Sequence, residues 1–540
     1  MKIRVFPAVL AAAACLAAAW AAPTAPQRPN IVFFLVDDMG WQDTSVPFWR
    51  GADGAARVTF LNRRYRTPNM QRLAEEGLMF TRAYAAPICS PTRCSLVSGM
   101  NAARHRVTNW TLARDTETDE PGCPLLPPAG WSVNGVQPAG TAPQGVSRHP
   151  LTDEPFSYSM QRPYTQVTPL PELLRGLGYV TIHCGKAHWG SRDTPGANPR
   201  ELGFDYNIAG TEAGGVADYR GRTGYGAGAG AFAVRGMDKP QYRSGDVFLT
   251  EALTQEALAC LGQVRRAPQH AGKPFFLYMA HYAVHCPLDA RAEDPRFTRN
   301  YPAGSLPVHP QDSMPWSAAE RCYAALVEGM DKSLGDICNW LQANGLAENT
   351  VVIFMSDNGG LALRSGGRLG DALSNYPLRG GKGCCYEGGI RVPLLVYWPG
   401  TTPRGGVCSV PAAAEDLFPT ILELAGAAAP PATVQQVDGR SLVPLLRGGS
   451  LPAERPLLFH VPHNWVRHAA GGTYSPQSAL VRGNDKLLYF AETDSYELYD
   501  LAEDISEQHD LSASHPARLE EMKALLQRRL QETGAQQPRR

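Results

Sequence analysis

A cysteine, a proline and an arginine stand close together in the segment PICSPTRCSLVSG, which covers residues 87–99. Cys89 lies two residues before Pro91 and four before Arg93, so a thiol is placed beside a stiff backbone position and a permanent positive charge. This grouping suggests chemistry at the thiol. A cysteine is also often a small buried apolar residue, and a proline often marks a turn, so the segment alone leaves both interpretations open.

Oxygen-bearing side chains follow two predicted buried strands, at 31–36 and 351–355. The first strand ends in Asp37 and Asp38, and the second ends in Asp357 and Asn358. Because ligands of a parallel sheet bind at the carboxyl ends of its strands, these two clusters are expected to converge on a metal site. Carboxylate and amide oxygens suit Ca2+ better than Mg2+. The alternative is that these residues only cap turns.

Basic and histidine side chains follow two further predicted strands. In the segment HCGKAHWG, Lys186 and His188 alternate, which in extended backbone places both on one side. His281 and His285 lie just past a predicted strand at 275–279. Taken separately, each group is also compatible with an exposed lysine or a core histidine.

A glycine-rich segment at 377–391 contains Lys382. The glycines allow close backbone approach, and the lysine supplies charge. Alone, the segment would be a loop.

The elements that must position these residues are strands that alternate with helices. The predicted strands are apolar runs at 31–36, 79–84, 179–184, 275–279, 351–355 and 392–397. The predicted helices lie at 68–76, 171–175 and 416–424, with a longer one after a capping box formed by Ser317 and Glu320. This alternation is typical of an α/β fold in which helices flank a large, mostly parallel mixed sheet.

Two regions interrupt the alternation, and a third follows it. Residues 105–165 and 209–245 are rich in proline, glycine and polar residues, which predicts long surface insertions. After about residue 440, short strands and a helix at 517–530 predict a smaller subdomain with an antiparallel sheet and one helix. We therefore expect a large domain at 28–440 and a C-terminal α+β subdomain at 441–540.

The composition and the N-terminal segment limit the classes to which the protein can belong. The chain has 540 residues, 51 of them Lys or Arg and 51 Asp or Glu, so no overall charge favours nucleic acid or an acidic membrane surface. Lys2 and Arg4, followed by an alanine-rich run and a small-x-small site, predict a signal peptide at 1–21 and export to the periplasm or the medium. Lipid attachment at Cys15 is the weaker alternative, because the apolar run continues past it. No later stretch reaches the length of a membrane span.

The motifs, taken together and in order, resemble those of the type I sulfatases, which depend on formylglycine and belong to the alkaline phosphatase superfamily. The resemblance runs from about residue 29 to the C-terminal helix. Residues 89–93 are similar to the C-x-P-x-R motif, whose cysteine is oxidised to formylglycine by a maturation enzyme. The resemblance implies one Ca2+ held by Asp37, Asp38, Asp357, Asn358 and the modified Cys89. It implies a catalytic set made of Cys89, Arg93, Lys186, His188, His285 and Lys382.

The resemblance also implies a mechanism. A hydroxyl of hydrated formylglycine at residue 89 would attack the sulfur of a sulfate monoester. His285 and Lys382 would stabilise the departing alkoxide, and His188 with Lys186 nearby would then take the proton whose removal expels sulfate.

The expected charges of this site favour an anion. The ion and three basic side chains exceed three carboxylates by two charges, in a protein of zero formal charge. The groups counted are Ca2+, Arg93, Lys186 and Lys382 against Asp37, Asp38 and Asp357.

Other activities remain open from the sequence. An arylsulfatase, or a formylglycine-dependent phosphonate or phosphodiester hydrolase, would use the same motifs. A two-metal phosphatase is disfavoured by Asn358, which stands where such a site needs a histidine. A secreted glycan-binding protein that has lost catalysis is disfavoured because every motif residue is intact.

The expected substrate is a sulfated carbohydrate, by resemblance to exported bacterial sulfatases, and galactose- or N-acetylgalactosamine-type sulfates are favoured. Asn375 and Arg379 are predicted to contact the sugar, with loop structure as the alternative. The expected partners are the sulfated glycan and the formylglycine-generating enzyme. Nucleic acid is not expected, nor is an integral membrane segment after removal of the signal.

Overall fold

The computed structural model describes residues 28–302, 317–361, 375–429, 431–467 and 473–540. The predicted signal peptide and Cys15 lie outside these residues. In the described part of the chain, no helix is both long enough and apolar enough to cross a membrane.

The strands and helices follow one another in the alternation that the sequence predicts. The strands are β1 (Asn30–Val36), β2 (Leu78–Tyr84), β3 (Val136–Pro138), β4 (Gln144–Arg148), β5 (Pro155–Ser159), β6 (Thr165–Val167), β7 (Val180–Gly185), β8 (Tyr206–Ile208), β9 (Phe275–Ala280), β10 (Thr350–Ser356), β11 (Arg391–Tyr397), β12 (Gly406–Cys408), β13 (Ala412–Ala413), β14 (Leu457–Val461), β15 (Trp465–Arg467), β16 (Thr473–Tyr474), β17 (Gln477–Arg482), β18 (Asp485–Phe490) and β19 (Ser495–Asp500). The α-helices are α1 (Phe60–Arg64), α2 (Pro68–Glu76), α3 (Cys89–Ser98), α4 (Ala102–His105), α5 (Leu170–Gly176), α6 (Pro240–Ser244), α7 (Leu249–Arg266), α8 (Pro295–Thr298), α9 (Ala318–Ala343), α10 (Glu387–Ile390), α11 (Leu417–Leu424), α12 (Val443–Leu446) and α13 (Pro516–Thr533). Short 3-10 helices lie at Pro195–Ala197, Gly221–Thr223, Gly230–Phe232, Pro268–His270, Ala347–Asn349 and Ala414–Asp416.

The central sheet has nine strands within the described residues, in the order β12-β2-β11-β10-β1-β9-β7-β8, with β13 beside β2. β1 pairs in parallel with β9 and β10, whereas β11 runs antiparallel to β10 and β2. The predicted α/β class with a large, mostly parallel mixed sheet is therefore confirmed. Because Val36 pairs with Ser356, the residues that follow β1 and β10 emerge side by side.

Helices cover both faces of this sheet. Alternate residues of β1 belong to two different apolar clusters, with Phe34 in one and Phe33 in the other. The first cluster contains residues of α7 and α9, and the second contains residues of α5 and α11. Burial on both faces explains why β1 is a continuous apolar run rather than an alternating one.

The C-terminal subdomain is an antiparallel sheet in the order β14-β17-β18-β19. Helix α13 packs on it, with Met522 and Leu526 against Leu480 and Leu487. The predicted antiparallel sheet with one helix is confirmed. The boundary between residues 440 and 441 stays a prediction.

The two proline- and glycine-rich regions are only in part the predicted surface insertions, because each combines exposed stretches with buried residues. Trp131 of the first region, and Tyr219 and Tyr225 of the second, are fully buried. Such segments lack a helix or strand period, but their aromatic side chains still find packing partners, with Trp131 against His463 and Tyr219 stacked on Phe248. Both regions consequently reach the site described next.

Candidate active site

Aspartates at the carboxyl ends of β1 and β10 meet as the sequence predicts. The Asp38 N–H donates to Oδ1 of Asp357 at 3.2 Å, and Nδ2 of Asn358 donates to Oδ1 of Asp38 at 2.8 Å. Asp38 has a φ of 63°, a left-handed conformation that turns the chain immediately after Asp37. All four side chains are buried.

Two oxygen atoms of this cluster have no hydrogen-bond partner in the part of the chain that the structure describes. Oδ1 of Asp37 and Oδ1 of Asn358 are buried and accept no hydrogen bond from the described residues. A buried acceptor without a partner is costly, and a bound cation would satisfy it. Ligand atoms of Asp37, Asp38 and His285 also lie within 4.8 Å of one another. The donors are mostly oxygen atoms, so these residues fit a hard divalent cation such as Ca2+.

Electrostatics in the cluster point the same way. Burial and the nearby charge of Asp357 raise the pKa of Asp37 to about 8. Burial also acts on Asp38, but Lys382 and His285 outweigh it and hold the pKa of that carboxyl below its usual range. Carboxylates crowded in a buried space repel one another, and a divalent ion between them would relieve that repulsion.

Helix α3 brings Cys89 and Arg93 to this cluster. The two residues are four apart, so they lie on one face of the helix. Nε of Arg93 donates to Oδ2 of Asp357 at 2.8 Å, and Nη1 donates to the Lys186 carbonyl oxygen at 2.8 Å. Ile88 at the N-cap has no side-chain oxygen for the first N–H groups of the helix. The helix therefore presents a positive end beside Cys89.

The thiol of Cys89 is poorly suited to act as a nucleophile itself. Burial raises its pKa, although Lys186 and Lys382 act in the opposite direction. A thiolate is the reactive form, so a raised pKa leaves the side chain inert. This environment fits a residue that is modified before it works.

His188 contacts Cys89 directly. Its Nδ1 lies 3.4 Å from Sγ of Cys89, and its Nε2 lies 2.7 Å from the carbonyl oxygen of Thr111. A carbonyl only accepts, so Nε2 carries the proton and the lone pair of Nδ1 faces residue 89. Burial, followed by Lys186 and Arg93, lowers the pKa of His188 well below its usual value, which keeps this nitrogen unprotonated.

Lys186 and His188 reach the site in a different way from the one predicted. β7 ends at Gly185, and His188 has a φ of 60°, so the pair does not alternate along an extended strand. Nζ of Lys186 instead lies 2.6 Å from Oδ2 of Asp37. Both side chains are buried at the site.

Lys382 is placed by the glycine-rich segment. Its Nζ lies 2.7 Å from Oδ1 of Asp38, and although burial opposes it, Asp38 raises the pKa of Lys382 above its usual range. A Cβ atom at Gly359 would lie 1.8 Å from the carbonyl oxygen of Gly388. The predicted close backbone approach is confirmed.

Of the two histidines after β9, His285 faces the site. Its Nε2 lies 3.6 Å from Oδ2 of Asp38, and its side chain is 17% exposed, which leaves access for a substrate. His281 is buried elsewhere, where its Nε2 lies 2.8 Å from Oγ of Ser333 and its ring packs on Phe34. The structure thus separates two histidines that the sequence placed side by side.

Asn375 and Arg379 have protein partners. Asn375 is buried, and its amide bridges backbone groups of Gly360 and Gly380. Nη1 of Arg379 donates to the hydroxyl of Tyr499 at 3.0 Å, toward the C-terminal sheet. The assignment of both residues to sugar binding stays a prediction.

Sequence reasoning missed the contribution of the insertions. Thr111 comes from the first insertion, and it contacts His188 through its backbone carbonyl. Every residue type has such a carbonyl, so the sequence gives no sign of this contact. Gly214 comes from the second insertion, where a Cβ would lie 2.4 Å from Cε1 of His188. A glycine in a polar loop is too common to signal such a contact.

Comparison with known families identifies the family of the chain. The sulfatase family profile matches residues 29–427, and the profile of the N-sulphoglucosamine sulphohydrolase C-terminal region matches residues 381–536. The chain belongs to the sulfatase family. As a member of this family, it is a sulfuric ester hydrolase with the alkaline phosphatase superfamily fold.

Individual known proteins are similar to this chain along most of its length. A sulfatase of Formosa agariphila is 29% identical and the alignment covers 92% of this chain and 86% of that protein. The N-acetylgalactosamine-6-sulfatase of Canis lupus familiaris is 31% identical, with 82% of this chain and 70% of that protein covered. The crystal structure of Ps i-CgsB in complex with k-i-k-neocarrahexaose is 26% identical, has a TM-score of 0.64 and covers 93% of each chain.

A phosphonate hydrolase shares the fold of this sulfatase. The phosphonate monoester hydrolase of Agrobacterium radiobacter is 20% identical, has a TM-score of 0.56, and the match covers 93% of this chain and 96% of that one. At this identity the likeness concerns the fold alone.

Proposed function

We propose that this sulfatase releases inorganic sulfate from sulfated carbohydrates, with galactose- or N-acetylgalactosamine-type sugars favoured, through a formylglycine derived from Cys89. The similarity to an N-acetylgalactosamine-6-sulfatase and to a protein crystallised with a neocarrahexaose supports this substrate class. The observation that carries the proposed chemistry is the 3.4 Å approach of the unprotonated Nδ1 of His188 to Sγ of Cys89.

Residue 89 and the ion supply the nucleophile. Formylglycine, when formed and hydrated, would supply a hydroxyl in place of the inert thiol. Ca2+, when held by Asp37, Asp38, Asp357 and Asn358, would supply positive charge that favours deprotonation and binds an anionic oxygen.

The chain's own residues supply the remaining functions. Arg93, Lys186, Lys382 and the positive end of α3 surround the space beside residue 89 and would stabilise the charge that develops on the sulfate oxygens. Nδ1 of His188 can accept a proton at residue 89, because its other nitrogen is occupied by Thr111. His285 and Lys382 would stabilise the departing alkoxide of the sugar, which is a poor leaving group.

Export and maturation belong to the same proposal. The residues 1–21 read as a signal peptide, so the enzyme would work in the periplasm or outside the cell, after a formylglycine-generating enzyme has oxidised Cys89. Peptide mapping of active protein from its native host should find an aldehyde at residue 89. Active protein with only unmodified cysteine there would contradict the proposal.

A substrate panel tests the activity. The matured enzyme is assayed for inorganic sulfate released from galactose and N-acetylgalactosamine sulfated at single defined hydroxyls, beside an aryl sulfate and an aryl phosphonate monoester. We expect kcat/KM to be highest for one of the sugar sulfates. A higher value for the aryl sulfate would support the arylsulfatase alternative, and a higher value for the phosphonate would overturn the sulfatase assignment of substrate.

A further inference from the structure

We propose that Arg192 and Arg235 form a second anion-binding subsite beside the active site, which receives a carboxylate or a sulfate on the sugar next to the one that loses its sulfate. This inference rests on the proposed carbohydrate substrate. It narrows that substrate to glycans that carry more than one negative charge.

A single buried carboxylate holds the two arginines. Nε of Arg192 lies 2.8 Å from Oε1 of Glu212, and Nη1 of Arg235 lies 3.2 Å from the same oxygen atom. The side chain of Glu212 is only 2% exposed, whereas those of Arg192 and Arg235 are 34% and 33% exposed. The buried carboxylate of Glu212 thus holds both guanidinium groups in place, and part of each guanidinium group remains exposed to solvent.

The charge of this group is not balanced. Within the described residues, Glu212 is the only acidic partner of either arginine, so two positive charges share one negative charge. The surplus positive charge is partly exposed, and each guanidinium group still has donors beyond the one that meets Glu212. Planar, paired donors of this kind suit carboxylate and sulfate oxygens.

The group adjoins the catalytic histidines. Glu212 lies in the segment 211–215. At the start of this segment, the carbonyl oxygen of Thr211 accepts a hydrogen bond from the His188 N–H at 3.1 Å. The same segment ends at Gly215, where a Cβ would lie 3.1 Å from the ring of His285. The segment therefore crosses from one catalytic histidine to the other, and its carboxylate carries the arginine pair at the edge of the site.

Neighbouring contacts fix the location further. The Arg192 N–H donates to the Leu112 carbonyl oxygen at 2.7 Å, one residue after the carbonyl that holds His188. Burial and then Glu212 raise the pKa of Tyr282, on which Asp37 of the metal site also acts. The hydroxyl of Tyr282 is buried and has no hydrogen-bond partner among the described residues. Glu212 and Asp37, a proposed metal ligand, therefore both lie near Tyr282.

The test compares disaccharides that differ in one charge. The matured enzyme is assayed on the same sulfated sugar linked to a neutral sugar, to a uronic acid, or to a second sulfated sugar. For wild type, we expect kcat/KM to be higher for the two charged disaccharides than for the neutral one. The preference is expressed as the ratio of kcat/KM for a charged disaccharide to kcat/KM for the neutral one. In Arg192→Gln and Arg235→Gln, we expect this ratio to fall about fivefold, the size of one partly exposed ion pair. Of the two charged disaccharides, the one whose ratio falls more identifies whether the subsite prefers carboxylate or sulfate.

Control variants separate binding from architecture. Arg235→Lys keeps the charge and should retain most of the ratio, and Arg222→Gln, an exposed arginine of the same insertion, should not change it. Raised salt should shrink the preference of the wild type, because exposed charges are screened. An equal loss of kcat/KM for all three disaccharides in Arg235→Gln would show that Arg235 only stabilises the local structure, and it would overturn the proposal. An unchanged ratio would overturn it too.

A binding experiment keeps this inference separate from the proposed function. Calorimetry measures the affinity of the uronic acid disaccharide for Cys89→Ala and for Cys89→Ala combined with Arg235→Gln. We expect weaker binding in the double variant. Equal affinities of the two variants would overturn the subsite, whatever the activity assay shows. The proposed function fails separately, if wild type releases sulfate from no sugar.

Discussion

The carbonyl oxygen of Thr111 accepts a hydrogen bond from Nε2 of His188 at 2.7 Å. Because a carbonyl cannot donate, this contact decides which nitrogen of the imidazole carries the proton. The other nitrogen, Nδ1, then faces residue 89 as an acceptor. A backbone atom of an insertion therefore sets the tautomer of His188, the proposed catalytic base, which lies just after β7.

Replacement of His188 tests its role as a base. In His188→Gln we expect kcat to fall by about 10²- to 10⁴-fold, the usual contribution of a positioned proton acceptor, with a smaller change in KM. Steady-state kinetics of sulfate release provide the measurement. His509→Gln, in which an 83% exposed histidine is changed, is the matched control. A kcat within twofold of wild type in His188→Gln would rule out this role.

The two neighbouring cysteines of α3 should behave differently. Cys89→Ser replaces the modified residue by a single hydroxyl, so we expect loss of turnover and a covalent sulfate ester at residue 89, detected by mass spectrometry of the intact protein. Cys94 is also buried, but its Sγ contacts the Trp189 carbonyl oxygen rather than the site. Cys94→Ala should therefore retain activity. Normal turnover without an adduct in Cys89→Ser would contradict the mechanism.

Removal of the proposed Ca2+ should lower both activity and stability. A ligand that binds only the folded state stabilises it, so chelation should lower Tm, and added Ca2+ should restore it better than Mg2+. In Asn358→Ala the free amide oxygen is lost, and we expect a smaller rise of Tm at each Ca2+ concentration. Calorimetric scans over a Ca2+ series make the measurement. Equal Ca2+ responses in Asn358→Ala and wild type would exclude Asn358 as a ligand.

The stability of the protein should depend on pH through His105. Burial lowers the pKa of this side chain to about 4, and its Nε2 lies 3.1 Å from the Pro91 carbonyl oxygen in the first turn of α3. The folded state binds this proton less readily than the unfolded state, whose pKa is near 6.5. The contribution of His105 to the free energy of unfolding is therefore fully present above about pH 6.5. It is lost as the pH drops toward 4, which lowers the free energy of unfolding by up to about 3 kcal/mol.

Substitution isolates this contribution. In His105→Gln we expect a lower Tm at neutral pH, because hydrogen bonds to α3 are lost, but a smaller further decrease between about pH 7 and about pH 5. The exposed His509→Gln should keep the pH dependence of wild type. A pH dependence in His105→Gln as steep as in wild type would show that other groups cause it.

Much of the fold followed from local patterns. Helix α2 was predicted at 68–76 and lies at Pro68–Glu76, because proline at its first turn and Gly77 after it mark both ends. The capping box of Ser317 and Glu320 likewise forms at the start of α9. The acidic cluster could be foreseen because neighbouring parallel strands bring Asp37 and Asp357 to one edge. These features depend on neighbours in sequence or on sheet geometry, both of which residue types report.

Other features depended on contacts that no local pattern reports. The alternation of Lys186 and His188 suggested an extended strand, but the chain turns at Gly185 to meet Thr111. The insertions were predicted to lie on the surface, since proline and glycine hide the apolar period, yet Thr111 and Gly214 lie against the ring of His188. Sugar binding by Asn375 stays a prediction, and the backbone partners of its amide are ones that only a folded loop provides.

The sequence by itself determined which chemical groups this sulfatase has and the order in which the sheet presents them, because both are written in residue types and short periods. The tertiary structure alone decided the tautomer of His188, the choice of His285 over His281, and the pairing of Arg192 and Arg235 on Glu212. Those outcomes arise from backbone carbonyls, burial and long-range approach. Such properties belong to the space around a residue rather than to the residue itself.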